Sequence, residues 1–218
     1  SSTSLPRPPR PLSAWIYDLL VIVILLAAAF LRTGFSVKEW TACVYQSLNS
    51  QTSTDHPSCK VSSLAPGLVW GEDQFLHPDE RFLVWVGSDI SPVKSLSEYF
   101  DTTNSTLNPQ NRGHGFYVYG TLPMFLVHYT TQWVFDQTGW PEVLLVGRLL
   151  STVADLLAVF MVYLIGSRLY DRRVGLLATA FAAAVVLQIQ QAHFFTMDTF
   201  ATAFSFLAFY YAVVIAVS

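Results

Sequence analysis

Within the five residues His77-Pro78-Asp79-Glu80-Arg81 stand a histidine, two adjacent carboxylates and an arginine. Pro78 suits the first turn of a helix, where its missing N–H is not needed, and carboxylates beside it are stabilised by the positive N-terminal end. Phe82, Val84, Trp85, Val86 and Ile90 follow, and they would let such a helix lie on a membrane surface. Two carboxylates are therefore expected at a membrane face, as reactive groups or as ordinary capping charges of an exposed loop. Farther on, Arg148 lies inside an apolar run from Glu142 to Leu164. An ionisable residue in hydrocarbon is costly and hence a functional candidate; a guanidinium suits a phosphate bidentately, and the alternative is an arginine snorkelling to the interface. Asp155, on the same helical face as Arg148 and about 10 Å farther along the axis, is expected to serve as a structural partner. His193 and Asp198 stand at the end of the next apolar run. The spacing of His77, Asp79 and Glu80 is not that of a metal-ligand set.

These side chains can meet only if the membrane brings their segments to one side. Of the 218 residues, 52% are hydrophobic and 12% charged, with a mean hydropathy of +0.41. Soluble domains carry about a quarter charged residues, so a soluble enzyme is excluded. Disorder and nucleic-acid binding are excluded by the 15% aromatic content and the net charge of −3. The apolar residues are blocked into runs of about 20, the length that crosses a bilayer core.

The first span is expected over 14–32, retained as an anchor because its apolar run is too long for a cleavable signal peptide. It follows a Pro-rich tail, 1–13, whose Arg7 and Arg10 place the N-terminus in the cytoplasm. The polar segment that follows, 33–141, is extracytoplasmic. Between Thr33 and Gly147 there are eleven Asp or Glu against five Lys or Arg, a net charge of −6. Interfacial helices are expected within it at about 79–90 and 116–135. The second is long enough to span, but that would put Arg168, Arg172 and Arg173 outside, against the positive-inside bias. Pro123, His128, Gln132 and the aromatic residues also suit the headgroup boundary. Further spans follow at 142–167 and 174–195, joined by the basic turn 168–173. A fourth, 199–218, reaches Ser218 with no charge or cap after it, so a longer protein is expected.

Cys43 and Cys59 fall on the outer side, where a disulfide is permitted; two free buried thiols are the alternative. Asn104-Ser105-Thr106 is a glycosylation sequon without meaning in a prokaryotic cell. The methionines and the aromatic run from Phe204 to Tyr211 are packing or lipid-facing residues.

A first span followed by a Pro-Asp-Glu carboxylate pair in a large outer loop resembles the GT-C glycosyltransferases that use lipid-linked sugars, especially the protein O-mannosyltransferase and aminoarabinose transferase families (glycosyltransferase family 39). Further similarities follow in chain order. Gly115-Phe116-Tyr117-Val118-Tyr119-Gly120-Thr121-Leu122-Pro123 occupies the place of that family's His-Pro-Pro-Leu helix, although His114-Gly115-Phe116 stands where the His-Pro-Pro would be. The stretch from Val146 to Phe181 resembles its second span, basic turn and third span, and Gln191 to Asp198 its segment ending in an aspartate. The resemblance covers nearly the whole chain from residue 14.

It implies that Asp79 is the catalytic base and Glu80 its neighbour at the acceptor. Arg148 and His193 would bind the donor phosphate, His193 standing where the mannosyltransferases have an arginine. Asp198, with His77, would position the acceptor, or Asp198 would join Asp79 around a divalent metal; no cofactor is certain.

The expected fold class is all-α, a polytopic transmembrane GT-C type with a large first extracytoplasmic loop containing juxtamembrane helices. The expected function is inverting transfer of a sugar from a polyprenyl-phosphate carrier to an acceptor at the outer face of the plasma membrane. Partners are then the donor, membrane lipids and an acceptor of unspecified class, with no nucleic acid. The other function class is a non-catalytic accessory or structural subunit of a larger membrane complex using the same fold. A transporter fits less well, because the charges gather at one face rather than along a midplane pathway.

Overall fold

Residues 12–34, 41, 65–69 and 76–217 are described by a computed structural model of the chain. The described residues form helices and connecting loops, with no strand among them: α1 (Leu12–Thr33), α2 (Pro78–Asp89), α3 (Leu96–Phe100), α4 (Thr121–Phe135), α5 (Trp140–Leu169), α6 (Arg172–Ala183), α7 (Val186–Ala192) and α8 (Met197–Ala216). Short 3-10 turns lie at Pro66–Leu68 and Pro109–Arg112. The expected all-α polytopic class is what the chain adopts. Three helices are long and apolar enough to cross a membrane: Trp15–Thr33, Trp140–Leu169 and Met197–Ala216. Their outward faces are apolar, with Ile16, Leu19, Val23, Leu26 and Phe30 of α1 and Phe204, Phe209, Tyr211 and Ile215 of α8 all exposed, as suits surfaces solvated by lipid.

α5 is the post around which the rest is arranged. At its C-terminal end Asp171 caps α6, its carboxylate accepting from the N–H groups of Arg173 and Val174 at 2.8 and 2.9 Å. α5 and α6 then cross so closely that a Cβ added to Gly166 would sit 3.0 Å from the Gly175 Cα, and one on Gly175 would sit 2.8 Å from the Tyr163 carbonyl oxygen. Small residues allow such an approach between membrane helices.

α1 runs antiparallel to α5, tied at two levels. Near its start Asp18 lies 3.5 Å from Arg172, and Arg173 donates to the Tyr17 hydroxyl at 3.3 Å. At its end Arg32 is fully buried and pairs with Asp155 of α5. The start of α1 and the basic turn therefore share one face of the bundle. The first 15 residues of α5 rise about 22 Å past the end of α1. Against this protruding half pack α2, α4 and the start of α8, in a core that includes Leu83, Val84, Met124, Val127, Val143, Phe195 and Phe200. α2, α4 and α5 meet at Gly87, where a Cβ would be 2.9 Å from Val143 and 3.2 Å from the Met124 sulfur. There His128 Nδ1 donates to the Gly87 carbonyl at 2.9 Å, and burial lowers the His128 pKa against that hydrogen bond, which favours the neutral ring. α4 buries Met124, Val127, His128 and Thr131 while Leu122, Leu126, Tyr129 and Trp133 stay exposed, an apolar stripe on its outer side.

Two local features differ from the sequence-based expectation. Residues 116–120 precede α4 rather than belonging to it. The span expected over 174–195 is two helices, α6 and α7, bent by 62°. Neither glycine nor proline marks the bend. Its cause is tertiary: Arg32 reaches across to donate to the Ala183 carbonyl at 3.2 Å, capping the end of α6 with a cation, and Thr152 of α5 takes the end of α7 by donating to the Ala192 carbonyl at 3.1 Å.

Gly175→Val places a branched side chain against the Tyr163 carbonyl, which belongs to the α5 backbone and cannot swing away. A loss of about 1–3 kcal/mol is expected, read as a lower thermal unfolding midpoint in detergent. Gly115→Val, where a Cβ meets nothing within 4 Å, is the control and should change it little.

Candidate active site

The site is built on the first turn of α2. His77 is the extended N-cap residue and Pro78 opens the helix, so Asp79 and Glu80 fall in the first turn, about 100° apart around the axis. That rotation separates their fates. Glu80 points into the core, at 1% exposure, and Asp79 stays at the rim, partly exposed.

Glu80 and Arg148 form a two-pronged ion pair, Nε to Oε1 at 2.8 Å and Nη2 to Oε2 at 2.7 Å. Glu80 Oε1 also accepts from the Phe195 backbone N–H at 2.8 Å, and Arg148 Nη1 donates to the Leu68 carbonyl at 3.1 Å. The Phe194 ring lies over the guanidinium with its centroid 5.9 Å from Cζ, and His77 stands against the same ring at 5.3 Å. Next to Arg148, Gly147 leaves room for Phe195; a Cβ there would be 2.5 Å from the Phe195 ring. Four segments are thus joined at one buried pair: α2, α5, the turn at 66–68 and the α7–α8 connection. Burying both charges is costly, and the bidentate geometry and extra hydrogen bonds offset that cost.

At the rim Tyr119 lies within electrostatic reach of two aspartates. Asp79, and Asp198 in the first turn of α8, are near enough for their charges to act on the Tyr119 phenol. Tyr119 is held above its ordinary pKa by burial first, then by Asp79 and the charge of Asp198, so it is a neutral phenol at neutral pH. Its ring is flanked by Phe82 at 6.3 Å and Tyr117 at 5.9 Å. Tyr117 is largely buried, which raises its pKa strongly, and its hydroxyl donates to the Gly120 carbonyl at 3.0 Å. Phe82 belongs to the next layer as well, lining a cleft of about 390 Å³ with Pro78, Arg81, Trp85 and Trp140. His114 braces the far end of α2, its Nε2 2.9 Å from Asp89 and its ring edge-on to Trp85 at 5.1 Å.

Of the residues singled out in the sequence, Asp79 and Asp198 both lie near Tyr119, and Glu80 and Arg148 share one buried pair. Arg148, expected to face a donor phosphate, is turned to Glu80 and Leu68. His193, on α7's C-terminal end, donates from Nδ1 to the Ile189 carbonyl at 2.7 Å and lines a separate cleft of about 490 Å³ with Pro66, Gly67, Val186, Ile189 and Gln190. His77 packs on Phe194. Cys43 and Cys59 lie outside the described residues. Among the described residues no group of three or more His, Cys, Asp or Glu is arranged to hold a metal ion. Tyr119, Phe194 and Phe195 were missed because a lone aromatic residue in an aromatic-rich segment carries no signal of its own.

Residues 124–217 match the family model described as dolichyl-phosphate-mannose-protein mannosyltransferase. The matched region, less than half of the chain, contains Arg148, His193 and Asp198. Comparison with curated proteins and with solved structures gives no match.

Because a buried charge without its partner costs about 3–5 kcal/mol, Arg148→Ala and Glu80→Ala should each sharply lower the thermal midpoint in detergent. The double variant Glu80→Leu/Arg148→Met, which removes both charges and keeps the volume, should be more stable than either single variant.

Proposed function

We propose that this chain is part of a membrane glycosyltransferase that moves a sugar from a polyprenyl-phosphate carrier to an acceptor hydroxyl, with inversion, at the extracytoplasmic face of the plasma membrane. The observation that carries this reading is the placement of Asp79: a carboxylate at the rim, on the first turn of a helix whose next residue is locked into the core. The similarity of residues 124–217 to dolichyl-phosphate-mannose-protein mannosyltransferases supports a lipid-linked sugar as the donor.

In this reading Asp79 accepts the proton of the acceptor hydroxyl as its oxygen attacks the anomeric carbon from the face opposite the phosphate. The bond from that carbon to the phosphate oxygen breaks with its electron pair on the departing polyprenyl phosphate. The leaving group is already a stable anion, so it needs charge stabilisation and no acid. Asp79 returns the proton to solvent. With the Arg148 guanidinium engaged by Glu80, His193 is the basic side chain assigned to the donor phosphate, in the cleft beneath α7. Arg148 contributes by holding Glu80, and through it the α2 turn that bears Asp79. The sidedness rests on Arg7, Arg10, Arg168, Arg172 and Arg173 as cytoplasmic charges. The contacts of Asp18 and Tyr17 with Arg172 and Arg173 agree with it, because they put the start of α1 beside the basic turn. α4 then lies in the outer interface with Leu122, Leu126 and Trp133 toward lipid.

Membranes of cells expressing the protein, supplied with radiolabelled dolichyl phosphate mannose as the probe donor, test the reading. Asp79→Asn keeps the shape and removes the base, and transfer should fall by about 100-fold or more. Transfer equal to wild type, or absent from both, counts against catalysis by Asp79 and in favour of an accessory role.

A further inference from the structure

We infer that His193 takes the donor phosphate as an imidazolium and not as the neutral ring, so that a proton on its Nε2 gates donor binding; this rests on His193 being the side chain that faces the phosphate. The ring is fixed by one hydrogen bond. His193 Nδ1 lies 2.7 Å from the Ile189 carbonyl oxygen. A carbonyl can only accept, so Nδ1 carries a hydrogen whatever the charge of the ring. In the neutral imidazole Nε2 is then bare, a lone pair that accepts and cannot donate.

That second nitrogen is left to the cleft. Nδ1 is turned back onto α7, while Nε2 has no hydrogen bond among the described residues and is not enclosed by them. Val186, Ile189, Gln190 and His193 share one face of α7 by helical spacing, and with Pro66 and Gly67 they line the cleft of about 490 Å³. The stripe is apolar toward the bend and polar at the end that leads into α8, which suits a phosphate carrying a hydrocarbon chain. The last four carbonyls of α7 are all engaged: Ile189 by His193 Nδ1, Gln190 by the His193 N–H at 3.1 Å, Gln191 by the Phe194 N–H at 3.1 Å and Ala192 by Thr152. A cation at the C-terminal end of a helix is also favoured over a neutral group, and an anion is disfavoured there unless a cation stands between.

Among the described residues no other cation lines this cleft. From α1, Arg32 is engaged with Asp155 and with the Ala28 and Ala183 carbonyls. From α5, Arg148 is engaged with Glu80 and the Leu68 carbonyl. The turn at 66–68 has no titratable side chain, α8 brings Asp198 in its first turn, and His77 packs on Phe194. The donor itself is a phosphodiester, which keeps one negative charge and no hydrogen near neutrality. Facing a bare Nε2 it would set acceptor against acceptor; facing a protonated one it receives a charge-assisted hydrogen bond. Donor binding therefore takes up one proton from solvent, and it weakens as pH rises through the range of about 5 to 8 in which histidine changes charge.

The test is equilibrium binding of radiolabelled dolichyl phosphate mannose to the purified full-length protein in detergent, from about pH 5.5 to about pH 8.5. Wild type, His193→Arg and His193→Gln are compared, and the unfolding midpoint is followed at each pH so that loss of fold is not counted as loss of binding. The wild-type Kd should rise by about 10- to 100-fold toward the alkaline end, the effect of losing a hydrogen bond to a charged group. In His193→Arg a cation is present at every pH, and the Kd should stay within about twofold across the range. In His193→Gln binding should be weak and independent of pH. A wild-type Kd that does not change with pH, while His193→Gln binds weakly, overturns the inference and leaves His193 on the phosphate. Wild-type pH dependence in His193→Arg also overturns it, because another group then titrates. Wild-type binding by His193→Gln at every pH, or no binding by wild type near pH 5.5, removes His193 from a donor site and the inference with it.

Discussion

The ion pair between Glu80 and Arg148 is the constraint on which the outer half of the molecule depends. Both side chains are fully buried, and each offsets the cost of burying the other. To satisfy the remaining donors and acceptors the pair draws in the Leu68 carbonyl and the Phe195 N–H. The turn at 66–68, the first turn of α2, the middle of α5 and the connection into α8 thus have fixed positions relative to one another. Asp79 inherits its place from this arrangement. It is one residue along from an anchored glutamate, and the helical rotation that buries Glu80 brings Asp79 to the rim.

A second buried pair, Arg32 with Asp155, does the same for the membrane half. Asp155 is two turns beyond Arg148 on α5, so one face of this helix carries an anion receptor above and a cation receptor below, about 10 Å apart. The upper pair places the loop helices and the lower one sets how far α1 rises along α5. Because Arg32 also donates to Ala183, the lower pair reaches α6 and ends it. The bend between α6 and α7 then turns α7 toward the turn at 66–68, where the two line the cleft that holds His193. Polar residues inside a bundle are usually read one at a time as functional signals. Here both are first of all the fasteners that decide which helices meet.

Much of this architecture was legible in the chain. Runs of apolar residues mark α1, α5 and α8 because a helix in lipid must be apolar for about 20 residues. Pro78 followed by two carboxylates marks the start of α2, and the arginines of the turn between α5 and α6 mark one side of the bundle. The candidates Asp79, Asp198, Glu80 and Arg148 all lie toward the N-terminal end of α5, away from the basic turn. The bend after Ala183 was not legible, since the stretch from Leu176 to Phe195 has neither glycine nor proline and the cause sits about 150 residues earlier, at Arg32. Nor was Tyr119, one aromatic residue among several between Phe116 and Phe125.

By itself the sequence determined which segments are helices, which of them are apolar enough for a bilayer, and which few residues carry charge where charge is expensive. Those properties follow from local composition and from the energetics of a single chain segment in a given solvent. Only the tertiary structure decided which charge is paired with which. That choice made Arg148 the partner of Glu80 and gave Arg32 to Asp155. The reason is that pairing depends on rotation about each helix and on the rise of one helix past another, and both are set by packing across contacts far apart in the chain.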